Sequence, residues 1–101
     1  MKNRGGIGAR ELFASVRRSN PEIARAEAEM GSRLAIARNV LRLRVRAGMS
    51  QEELARRVGT ARSSIVRIEA ALTNVMIDTL DRLASALSVQ TATLLSAPPV
   101  S

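Results

Sequence analysis

The chain predicts an all-α fold, on three observations. Alanine, leucine, arginine and glutamate, all strong helix formers, dominate its 101 residues. Phe13 is the one aromatic residue, and no segment alternates apolar and polar positions with a strand-forming composition. Apolar residues instead recur at three-and-four spacing, in windows separated by glycine or Asn-Pro breaks. The length is that of one domain, close to the lower limit for a self-sufficient core. So small and aromatic-poor a core points to a dimer that shares apolar surface.

Residues 1–8, MKNRGGIG, are glycine-rich and basic, the composition of a mobile arm. From Ala9 to Arg18, Leu12, Phe13 and Val16 form a short helical stripe. Asn20-Pro21-Glu22 is a fresh helix start, with Asn20 as cap, Pro21 at the first helical position and Glu22 in the first turn against the dipole. That helix runs to about Met30, where Gly31-Ser32 either interrupts it or lies within one helix continuing to Ala47. Val40 and Leu43 are core candidates of the Arg33–Ala47 segment, and Gly48 ends it. The expected division is a basic arm and helical extension over 1–31, a compact domain over 32–97 and a tail over 98–101.

The most informative stretch begins at Gln51: QEELARRVGTARSSIVRIE. Ser50 can cap a first helix, and Glu53 can reach back to complete a capping box. Leu54 and Val58 share one face of that helix, and Ala55 supplies the small residue a crossing helix needs. Gly59 sits where the chain must reverse in one tight turn, a left-handed conformation open to glycine at little cost. Ile65, Ile68 and Leu72 recur on the second helix. The pattern is a helix-turn-helix. A connector follows over Leu72–Met76, then a core helix marked by Ile77, Leu80, Leu83, Ala84 and Leu87, and a short last helix over Thr91–Ser96. Ala97-Pro98-Pro99 ends the fold.

The formal charge of +7 is unevenly placed: residues 1–67 carry fifteen of the sixteen basic residues and six of the nine acidic ones, leaving residues 68–101 slightly acidic. Phosphate neutralisation by Lys and Arg supplies most non-specific DNA affinity, so the basic part fits a nucleic-acid partner. No cysteine and no histidine are present, which removes disulfide frameworks, thiol chemistry and ordinary zinc sites. No cofactor and no metal are expected. Without His, Cys or Tyr, catalysis would rest on carboxylates, Lys, Arg or hydroxyls, yet Glu52 and Glu53 are adjacent on a helix and point apart; no catalytic residues and no enzyme are expected. The N-terminus lacks the apolar run of a signal peptide, and nothing approaches the roughly 20 apolar residues of a membrane span, so the expectation is a cytoplasmic protein with no membrane partner.

Residues 40–95, from VLRLRVRAGMSQEELARRVGTARSSIVRIE through TLDRLASAL, resemble the XRE family, the helix-turn-helix regulators related to lambda and Cro repressors. The resemblance implies a five-helix lambda repressor-like DNA-binding domain carrying an N-terminal helical extension. It implies a partly buried ion pair between Arg44 and Glu69, both structural. It also implies that Gln51 binds a backbone phosphate and steadies the reading helix. The chain departs from the family after that helix: glycine is usual at Ala71, and proline then serine at Val75 and Met76. The next helix thereby loses its usual cap, and Val75 and Met76 either mark a dimer surface or fill the core. The preceding run NPEIARAEAEMGSRLAIARNVLRLRVRAGMSQEELA is similar to the HigA-type antitoxin branch, with Asn20 where an aspartate is usual. That branch implies a repressor that is the antitoxin of a type II toxin-antitoxin system: it autorepresses its operon and neutralises a RelE/HigB-like toxin that cleaves messenger RNA.

With the second helix starting near Ala61, the base-reading candidates are Ala61, Arg62, Ser63, Val66 and Arg67. Arginine can donate two parallel hydrogen bonds to guanine, so Arg62 and Arg67 predict a GC-containing half-site, while Ala61 and Val66 suit a thymine methyl. Gln51, Arg57, Thr60 and Ser64 are the phosphate candidates, which fix register without specifying sequence. One such helix reads only a few base pairs. A homodimer on an inverted-repeat operator of double-stranded DNA follows, with half-sites about 34 Å apart or a multiple of that. Leu12, Phe13 and Val16 are candidates for partner binding through an apolar groove; the simpler expectation is that they pack against the chain's own long helix. The alternatives are a free-standing regulator of transcription without a toxin, and a protein-binding adaptor that has lost DNA.

Overall fold

The computed structural model describes residues 8–97, without the side chain of Arg17. The expected basic arm before Gly8 and the tail at 98–101, with the Pro98-Pro99 stop, lie outside the described residues. Among the described residues there are six helices and no strand: α1 Ala9–Ser19, α2 Pro21–Arg46, α3 Gln51–Val58, α4 Arg62–Glu69, α5 Ile77–Ala86 and α6 Thr91–Leu95. The all-α expectation holds. The chain forms two compact units that divide between Met30 and Gly31.

In the first unit, Asn20 caps α2 as its sequence predicts, its Oδ1 accepting from Glu22 N at 3.1 Å. Leu12, Phe13 and Val16 do not pack away; they are 52 %, 62 % and 38 % exposed. This corrects the simpler expectation for them. The stripe holds only these three large apolar residues, too few to cover one another on an eleven-residue helix. Gly31 does not interrupt α2, which is assigned as one helix of 26 residues. A glycine inside a helix costs only about 1 kcal/mol against alanine, which flanking helix formers offset.

In the second unit the end of α2 and helices α3 to α6 surround one core of Ile36, Val40, Met49, Leu54, Ala55, Val58, Ile65, Ile68, Leu80, Leu83, Ala84, Leu87 and Leu94, with Leu43 and Val75 packed against it. Helix α3 packs on α4 and α5, and α5 on α6. Two residues expected in this core are outside it: Leu72 is 65 % and Ile77 76 % exposed.

The cause is the way the chain ends its helices. At four places the amide after a left-handed residue bonds back five positions and that residue's own amide bonds back three, the Schellman arrangement that satisfies terminal carbonyls. Met49 N bonds Arg44 O and Gly48 N bonds Val45 O; Thr60 and Gly59 repeat this on Ala55 and Arg56, Leu72 and Ala71 on Arg67 and Ile68, and Val89 and Ser88 on Ala84 and Ser85. The left-handed residues are Gly48, Gly59, Ala71 and Ser88, with φ of 71°, 82°, 59° and 58°. Helix α4 therefore stops at Glu69, before its periodicity would carry Leu72 to the core face. Ile77, the first residue of α5, falls to one side of the arc that Leu80, Leu83 and Ala84 bury.

A polar tie closes the far side of the core. Asn39 is 1 % exposed. Its Nδ2 donates to Leu94 O at 2.9 Å and to Ser96 O at 2.7 Å, tying the end of α6 to α2.

Candidate nucleic-acid interface

Helix α3 starts where Ser50 Oγ accepts from Glu53 N at 3.0 Å. Only this half of the capping box forms, because Glu53 Oε1 accepts instead from Arg57 Nη2 at 3.0 Å, one turn on. Leu54, Ala55 and Val58 are buried, with Leu54 at 0 % exposure, so α3 is fixed from below by the core. Gly59 turns the chain and Thr60 closes the turn on Ala55 O at 2.9 Å. Helix α4 then begins at Arg62 with Ala61 as its cap residue. No side chain caps it, so its first amides stay open toward whatever its end faces.

Ile65 and Ile68 anchor α4 at 0 % and 4 % exposure. At about 100° per residue, Arg62, Ser63, Val66 and Arg67 occupy one arc of about 140° away from these anchors. All four are exposed, as is Ala61. The arrangement is a rigid helix whose outer face carries two guanidinium groups, a hydroxyl and an apolar patch. Those are the groups that can bond guanine O6 and N7 and touch a thymine methyl in a major groove.

Two of the phosphate candidates, Thr60 and Ser64, lie beside that face. They line a cleft of about 220 Å³ together with Arg67, Ile68, Thr73, Asn74, Val75, Met76 and Thr79. Sequence reasoning did not single out Thr73, Asn74 or Thr79, whose polar groups join those of Thr60 and Ser64 in this cleft. The connector bearing Thr73 and Asn74 is held by Arg33, whose Nε donates to Asn74 Oδ1 at 2.8 Å. A contact across 41 positions leaves no trace in local spacing. Val75 is half-buried against the core, as the core-filling alternative expects, while Met76 is 76 % exposed and does not fill it. Arg57 is tied to Glu53, but with side chains 54 % and 39 % exposed the pair is worth little. Arg56 is exposed.

Behind the outer face lies a charged network. Arg44 Nε and Nη2 donate to Glu69 Oε2 and Oε1 at 2.6 and 3.0 Å, a two-pronged pair. Arg44 Nη1 donates to Met49 O at 2.8 Å. Gln51 is not free: its Nε2 donates to Glu69 Oε1 at 3.0 Å. The side chains of Arg44 and Glu69 are 13 % and 6 % exposed. Hydrogen bonding to Glu69 pushes Arg44 above the ordinary arginine range, against the opposing effect of burial. The network joins α2, the loop before α3, the first residue of α3 and the last of α4.

No group of His, Cys, Asp and Glu among the described residues could hold a metal ion. No helix among them is long and apolar enough to cross a membrane.

The chain is similar to known proteins over the same region. Among the solved structures similar to it, two share more than 30 % identity. One is a hypothetical transcription factor, NHTF, from Neisseria, 36 % identical with a TM-score of 0.66 over 69 % of this chain and 80 % of that one. The other is the restriction-modification controller protein C.AhdI from Aeromonas hydrophila, 31 % identical with a TM-score of 0.60 over 61 % of this chain and 94 % of that one. A transcriptional regulator of the HTH_3 family from Vibrio cholerae shares the fold at 24 % identity and a TM-score of 0.62, over 65 % of this chain and 37 % of its own. No curated protein matches the chain. The helix-turn-helix family HTH_3 matches residues 40–94, the span that holds α3, the Gly59 turn, α4 and α5, and the chain belongs to that family.

Proposed function

We propose that the protein is a sequence-specific DNA-binding repressor that acts as a homodimer on an inverted-repeat operator. The observation that carries this reading is the outer face of α4, where Arg62, Ser63, Val66 and Arg67 stand exposed over an anchored helix. In this reading Ala61, Arg62, Ser63, Val66 and Arg67 contact bases, while Gln51, Arg57, Thr60 and Ser64 contact phosphates. Thr73, Asn74 and Thr79 extend the phosphate track along the cleft. Arg44 and Glu69 hold the two helices at their angle. The family supports DNA binding, and the two described neighbours above 30 % identity are named as a hypothetical transcription factor and a restriction-modification controller protein.

The regulator is further proposed to be an antitoxin, its first unit capturing a RelE/HigB-like toxin in the cytoplasm. The exposed Leu12, Phe13 and Val16 support this, because an amphipathic helix with its apolar face uncovered suits insertion into a partner's groove. A free-standing regulator is the second reading, favoured by the match to nearly the whole of the controller protein.

Fluorescence anisotropy with the DNA upstream of the chain's own gene, over a salt series and against a scrambled duplex, tests the repressor reading. Two chains per site and a specific excess of about 10³ or more support it. Equal, steeply salt-dependent binding to both duplexes would leave only a basic surface. For the antitoxin reading the test is deletion of residues 1–30: a deleted chain that still neutralises a toxin encoded beside it sinks the role given to Leu12, Phe13 and Val16.

A further inference from the structure

We propose that Glu69, the last residue of α4, is a positioning residue for the phosphate contact of Gln51. The inference rests on the DNA reading above and adds to it a coupling between the two helices of the unit.

The argument starts from what an ionised carboxylate can do. It only accepts hydrogen bonds, so a glutamine amide that meets one must turn its nitrogen, never its oxygen, toward it. Gln51 Nε2 meets Glu69 Oε1 at 3.0 Å. The acceptor is itself immobile, because Arg44 grips both of its oxygens, and its side chain is only 6 % exposed. Arg44 is anchored in turn on Met49 O, next to the cap residue Ser50. The Gln51 amide is therefore held in one of its two flip states, with one N–H used and the second available.

That second N–H belongs to the first residue of α3, whose backbone amide has no helix carbonyl to bond. A phosphodiester oxygen arriving there meets a side-chain donor and a backbone donor already in place. A free glutamine would lose rotamer freedom on binding and could equally present its oxygen to the phosphate. Arg44 balances the charge of Glu69, so the carboxylate orients the amide without leaving an uncompensated negative charge beside the anion.

Two substitutions and a duplex of random sequence test this, since phosphate contacts carry no base information. Glu69→Gln keeps the size and an acceptor for Arg44, but offers Gln51 a donor as well as an acceptor and so frees its flip. Measured by anisotropy on chains with intact far-UV circular dichroism, Glu69→Gln weakens binding roughly two- to tenfold, the cost of ordering one such side chain. In a Gln51→Ala background this loss is absent, and what remains is the gain from an Arg44 guanidinium that no carboxylate balances. An equal loss in both backgrounds would make Glu69 merely structural and overturn the inference alone. An unaltered chain that does not bind the duplex overturns the DNA reading and this inference together. A second readout needs no variant: ¹⁵N relaxation of the Gln51 side-chain amide in the free chain matches the rigid backbone, and mobility equal to that of exposed Gln90 would contradict the proposal.

Discussion

Replacing Arg44 by alanine destabilises the protein by about 3 kcal/mol at neutral pH, against the 3–5 kcal/mol that breaking a buried pair generally costs. Two structural facts set the figure. The lost guanidinium serves three acceptors, both oxygens of Glu69 and Met49 O, and the carboxylate left behind is 6 % exposed. Gln51 still donates to that carboxylate, which keeps the cost below the upper limit. Urea denaturation of the two chains at pH 7 reads the difference. A deficit under about 1 kcal/mol would refute the argument. Replacing both partners at once by apolar residues, as Arg44→Met with Glu69→Leu, costs less than either single change because no charge is stranded.

The four helix stops make opposite predictions for equivalent positions. Gly59→Ala costs about 1 kcal/mol and Ala71→Gly gains a similar amount, because both positions are left-handed and only glycine adopts that conformation freely; thermal unfolding measures both shifts. Asn39→Ala loses two hydrogen bonds to the end of α6 and leaves their carbonyls unsatisfied, a cost of about 2 kcal/mol that hydrogen exchange should localise to α6 and the facing turn of α2. Stability of the unaltered chain is flat between about pH 6 and pH 9. Its Arg44 pKa is raised above the ordinary value, so the contribution of that pair is fully present throughout this range and is lost only at strongly alkaline pH, and there is no histidine to titrate within it.

Local chemistry made much of the unit legible in advance. Gly48 and Gly59 mark left-handed stops, Ser50 marks the start of α3, and the spacing of Leu54, Val58, Ile65 and Ile68 marks two faces that meet in the core. Periodicity failed where a stop carried no glycine. Ala71 is left-handed without advertising it, so the apolar pattern ran on to Leu72, which the structure leaves in solvent. Ile77 misled for a related reason, since an apolar residue at the first position of a helix need not lie on its buried arc. Of the candidate interface, the outer face of α4 followed from helix geometry alone. Nothing local could announce Arg33 on Asn74, Asn39 on α6 or Gln51 on Glu69, because each joins residues far apart in the chain.

The central claim is that α4 reads bases through Arg62, and discrimination tests it most directly. The ratio of affinities for the chain's own upstream operator and for a scrambled duplex, at one fixed salt concentration, is compared between the unaltered chain and Arg62→Ala. A bidentate guanine contact predicts that Arg62→Ala lowers this ratio by about 10- to 100-fold. An unchanged ratio, with both affinities reduced alike, would show that Arg62 touches only the backbone and that the reading face is set wrongly.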